Sequence, residues 1–141
     1  MDNTLNPDQF KRDQMTRELK KARTWILAVG IIMFTVDMIM LYAVYGKQLP
    51  SEWKSKIMMY DLIILGFFVG MYILAYSKPV LACVLALCGF WALHLYLASV
   101  NPATLTQGII MKVFFTLALI NGIKSANNAE KLKKELAQVF A

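Results

Sequence analysis

Charge is scarce in this chain. Asp, Glu, Lys and Arg make up 17% of its 141 residues, while 58% are hydrophobic and mean hydropathy is +0.51. A soluble domain carries roughly a quarter charged residues, so an ordinary soluble globule is excluded. Histidine occurs once, at His94, and cysteine twice, at Cys83 and Cys88. At helical spacing the two cysteines diverge by roughly 140°, too far round to bridge. A disulfide framework, a zinc site and a CxxC redox centre fall with that count, and no metal site or cofactor is expected. The sequence also lacks an HExxH, a nucleophile elbow, a Gly-rich phosphate loop, a glycosylation sequon and a lipidation motif. No cleavable leader is expected, because mixed-charge residues 1–23 precede the first apolar run and that run is too long for a signal segment.

What the chain does have is apolar runs. TWILAVGIIMFTVDMIMLYAVY, residues 24–45, contains one charge, Asp37, with Trp25 at one end and Tyr42 and Tyr45 at the other. About 20 apolar residues cross ~30 Å of hydrocarbon at 1.5 Å per residue, and aromatic rings settle at the two interfaces. Three further spans are expected at 57–76, 80–98 and 105–123. Each has a single ionisable intruder, respectively Asp61, His94 and Lys112.

Local signals punctuate these runs. Asn6-Pro7-Asp8-Gln9 combines an N-cap with proline at the first helical position, and Leu5 and Phe10 occupy the staple positions. Nothing breaks the pattern before Trp25, so this helix should run on into the membrane. Ser51 is a candidate cap for the second helix, Ser77-Lys78-Pro79 a tight turn, and Asn101-Pro102 a second Asn-Pro start. The tail, 124–141, is expected to continue the last helix to about residue 140. Its Glu130 is expected to face Lys134 and its Lys131 to face Glu135, both at i,i+4. Residues 1–5 are expected to fray.

The fold expected is therefore an all-α membrane protein, a single domain over 1–141. Four transmembrane helices form an up-down bundle, and helices 1–23 and 124–141 extend into the cytoplasm and pack beside each other or a partner. Topology comes from the basic residues: eleven lie on the side of the termini and three in the first opposite loop, with Lys112 inside the membrane. Positive-inside then places both termini in the cytoplasm, at the inner membrane if the source is bacterial. The same distribution explains the net charge of +6 without nucleic acid.

Two sets of residues invite a role. Gly66 with Gly70, and Ala118 with Gly122, are small-xxx-small pairs that let helix backbones approach. Asp37, Asp61, His94 and Lys112 come one from each span, at depths of ~12, ~6, ~6 and ~10 Å below the outer interface at 1.5 Å per residue. A charge facing lipid costs roughly 3 kcal/mol or more, so these groups should turn inward and pair, Asp37 with Lys112 and Asp61 with His94. On that reading the cluster is glue, and the protein is a non-enzymatic accessory or assembly subunit in a homo-oligomer or a larger membrane complex. Two alternatives remain. One is an oligomeric proton, ion or small-solute pathway through the cluster. The other is an outer-leaflet enzyme or lipid-binding protein, although the apolar neighbours of both aspartates supply no catalytic signature.

Overall fold

The computed structural model describes residues 6–139. Residues 1–5 and the Leu5 half of the expected staple lie outside them, as does the end of the tail at residue 140. The described chain is all helical: α1 (Pro7–Ile39), α2 (Ser51–Leu74), α3 (Pro79–Val100) and α4 (Ile109–Val139). All four are long and apolar enough to cross a membrane.

The first helix begins where its cap residues put it. Asn6 Oδ1 accepts from Asp8 N–H at 3.3 Å, and Pro7 fills the first helical position, where no donor is needed. The helix then runs without a break from the charged arm into the apolar run. At Met40–Val44 it widens into a π-helical turn, in which Tyr45 N–H donates to Met40 O at 3.1 Å. Proline at the start of α3 is accommodated in the same way, whereas Ser51 makes no side-chain cap; Pro50 holds the cap position of α2.

The last helix starts later than residue 105. Asn101 does cap, with Oδ1 accepting from Ala103 N–H at 3.1 Å, but it opens a 3-10 turn over Pro102–Leu105. Gly108 then takes φ 65°, a left-handed conformation that glycine adopts freely and that ends one helical segment before the next. Helix α4 begins at Ile109, so Lys112 sits in its first turn.

Packing is built on α1 and α4, the most extensive pair in the chain. Ala22, Ile26, Val29 and Met33 form a stripe at helical spacing on α1, facing Ala118, Leu119, Gly122 and Ala126 on α4. A Cβ placed on Gly122 would lie 3.4 Å from Trp25 Cβ, 3.5 Å from Cys83 Sγ and 3.7 Å from Ala22 O. Toward the chain ends Lys11 Nζ meets Glu135 at 3.3 Å. Glu135 thus pairs across the helices instead of with Lys131, four residues before it. The ion pair is exposed and adds little stability; the small-residue seam is what brings the backbones together.

Helix α3 packs on α4 through Phe90 and Phe115, whose rings meet edge-on at 6.0 Å. Cys83 is buried in this core and Cys88 exposed, both as free thiols. Helix α2 is the outlying member, with only Asp61 and Phe68 buried. It docks on α1 where Phe68 crosses Gly30, and the Arg23 guanidinium stacks 4.0 Å above the Tyr76 ring just beyond its end. Its contact with α3 is shorter. Gly66 and Gly70 face open space, with nothing within 4 Å of a Cβ added at either, so that motif packs no helix within this chain.

A Cβ on Gly30 would sit 2.7 Å from Phe68 Cβ, an atom held by its own backbone. Gly30→Leu is therefore expected to lower thermal stability in detergent by about 1–3 kcal/mol, the usual cost of overpacking. Gly66→Leu should fall within about 0.5 kcal/mol of the parent.

Candidate polar cavity

At the end of the bundle away from the chain termini lies a cavity of about 330 Å³. Asp37 reaches it from α1, Asp61 from α2 and His94 from α3. Its remaining walls are apolar and include Met33, Leu41, Ile64 and Leu93, with Tyr45 at the rim. The π-helical turn contributes directly: Met40 and Leu41 line the cavity from it. Leu41 is the buried residue of that turn.

Asp61 is the one buried polar or charged residue among the described residues. It is 9% exposed, and its Oδ2 is buried without a hydrogen-bond partner. Asp37 is more open. Among the described residues neither carboxylate forms an ion pair. The two line the same cavity, where like charges repel.

His94 is committed elsewhere on one side. Its Nδ1 lies 2.8 Å from Phe90 O, one turn back. A carbonyl can only accept, so Nδ1 carries the proton and the neutral ring leaves Nε2 as an acceptor. The His94 ring also lies against Phe90, with centroids 4.3 Å apart. The expected Asp61–His94 bond is not formed.

Lys112 does not line the cavity. Its ammonium donates to the carbonyls of Thr104 and Leu105 in the preceding 3-10 turn. The physical reason is its position in the first turn of α4, where Cβ leans toward the helix N-terminus and the flexible stem reaches the unpaired carbonyls of the loop. The expected Asp37–Lys112 pair is absent for that reason. Other polar groups in the apolar spans are satisfied within their own helix: Thr35 Oγ1 donates to Ile31 O at 2.8 Å and Thr116 Oγ1 to Lys112 O at 2.7 Å.

The cavity thus presents two carboxylates and an imidazole nitrogen, all able to accept hydrogen bonds, and no basic side chain. Among the described residues no three His, Cys, Asp or Glu side chains converge as metal ligands would. Such a lining suits a cation carrying N–H or O–H donors, which would supply the partner that Asp61 lacks.

No protein-family model matches the sequence, and neither a curated protein nor a solved structure matches it.

With no direct bond between them, Asp37 and Lys112 should behave independently in a double-mutant cycle. Thermal stability in detergent is expected to give a coupling of no more than about 0.5 kcal/mol for Asp37→Asn with Lys112→Met. A coupling of several times that size would mean the pair forms after all.

Proposed function

We propose that this chain is a small multi-pass membrane protein, an up-and-down four-helix bundle with both termini in the cytoplasm, that binds a small cationic solute in the cavity at Asp37, Asp61 and His94. It does so without catalysing a reaction. The observation that carries this reading is the buried, unpartnered Oδ2 of Asp61 in a cavity of acceptors. Had the cluster served only as glue, its charges would meet opposite charges; instead Lys112 is held by loop carbonyls and the two carboxylates line one cavity without an ion-pair partner among the described residues. Leaving a buried carboxylate unpaired costs stability, and a bound cation offsets that cost.

The orientation rests on the basic residues. Eleven flank the spans on the side of the termini, so the cavity opens on the opposite side of the membrane, where a solute would arrive. A second role, assembly with another membrane helix, is favoured by Gly66 and Gly70, which face open space at a spacing suited to close backbone approach.

Two measurements bear on this reading. In a background with Cys83→Ala and Cys88→Ser, single cysteines at Gln48 and Thr104 are expected to react with an impermeant thiol reagent added outside intact cells. Cysteines at Gln14 and Gln138 should react only after permeabilisation, and the reverse pattern would overturn the orientation. For the cavity, titration calorimetry of the purified protein with methylammonium is expected to show saturable binding. Asp61→Asn should weaken it about ten-fold or more, since a hydrogen bond to a charged group is worth roughly 1.5–3 kcal/mol. Lys112→Met, which does not line the cavity, should leave it within about two-fold, a change of about 0.4 kcal/mol.

A further inference from the structure

The polar cavity has an apolar neighbour. Between α2 and α3, where the two helices touch only briefly, lies a groove of about 170 Å³ walled by Ile63, Phe67, Phe68, Gly89 and Phe90. Ile64 and Leu93 line both spaces, so the groove begins where the cavity ends. Phe90 spans the junction as well, since it walls the groove while its carbonyl and ring hold His94. Gly89 leaves room for the Phe67 ring against α3: a Cβ there would come 2.5 Å from it.

Two adjoining spaces of opposite character call for a ligand of two parts. We propose that the cavity and the groove together bind a primary amine with an aromatic or aliphatic tail, its ammonium among Asp37, Asp61 and His94 and its tail between α2 and α3. This rests on the cation-binding reading above and names the class of solute. Three features select it. The two carboxylates and the free imidazole nitrogen of the cavity accept hydrogen bonds, and a primary ammonium brings three donors, which a quaternary ammonium does not. The acceptors do not converge on one point, which disfavours a bare metal ion and leaves an ammonium free to bond them separately. From Asp61 to Phe67 is six residues along α2, about 9 Å, the length of an amine with a short chain and a ring. A zwitterionic amine lipid fits less well, because its phosphate would be set close to the same two carboxylates.

The test is calorimetric titration of the full-length protein in phosphatidylcholine nanodiscs, with empty discs as blank, using 4-phenylbutylammonium, butylammonium and 4-phenylbutanol. The expected order is saturable binding of 4-phenylbutylammonium, binding of butylammonium weaker by about ten-fold or more from loss of the buried ring, and no saturable binding of the alcohol. Asp61→Asn should weaken binding of both amines about ten-fold or more. Gly89→Ala, which displaces the Phe67 ring from its place in the groove wall, should bring the two amines within about three-fold of each other while leaving butylammonium unchanged. Phe67→Leu is a second groove variant should Gly89→Ala fail to fold, and it should shrink the preference in the same direction. Equal affinity of the two amines for the parent protein would overturn the two-part ligand and leave the cation site standing. Absence of binding by either amine would overturn both. Competition by added phosphatidylethanolamine would overturn the assignment to a simple amine.

Discussion

Close approach between α1 and α4 is the constraint on which the other packing depends. Inside a bilayer there is no hydrophobic gain in bringing apolar helices together, because lipid tails are as apolar as the helices are. What remains is dispersion, and dispersion falls steeply with distance. Ala22 on one helix, and Ala118, Gly122 and Ala126 on the other, remove the side-chain bulk that would keep the backbones apart. With that seam closed, Cys83 and Phe90 of α3 find a surface on α4, and Phe68 of α2 finds one at Gly30 of α1. Helix α2 has no comparable seam of its own, and the bundle is correspondingly open on that side.

The openness and the polar groups belong together. A bilayer interior gives backbone and side-chain polar atoms no water, so each must find its partner in protein. Thr35, Thr116 and His94 do so by bonding carbonyls one turn back on their own helices, and Lys112 by reaching loop carbonyls at the end of α4. A carboxylate has no such recourse, since every helical N–H beyond the first turn is already engaged. Asp61 is therefore the group for which folding within one chain supplies no solution. Its cavity lies where α2 and α3 touch only briefly, and the π-helical end of α1 forms part of its wall. Strain and unmet bonding at one place, with efficient packing elsewhere, is the pattern expected where a ligand completes the structure.

The number of helices, their apolar extent and several of their caps were legible from residue order, because length, hydropathy and capping are local properties. Asn6-Pro7 needs only its own neighbours to start α1, and a mostly apolar run of 22 residues with one charge needs no partner to be membrane-spanning in length. Even locally the reading had a gap: Asn101-Pro102 looks identical to Asn6-Pro7, but Gly108 at φ 65° turns it into a 3-10 turn and moves the start of α4 to Ile109. The glycine was visible, and its conformation was not.

Tertiary structure decided the rest, and it did so by choosing among equals. Gly66 with Gly70 and Ala118 with Gly122 have the same spacing, yet the second pair is buried and the first faces outward, because only the helix that meets α1 can use its small face. Asp37, Asp61, His94 and Lys112 are four similar intruders in four apolar runs. Three surround one cavity, while a shift in the start of α4 put the fourth within reach of free carbonyls. Residue order determines what each helix carries; rotation and register between helices, set by which small residues let backbones meet, determine which of those groups face one another.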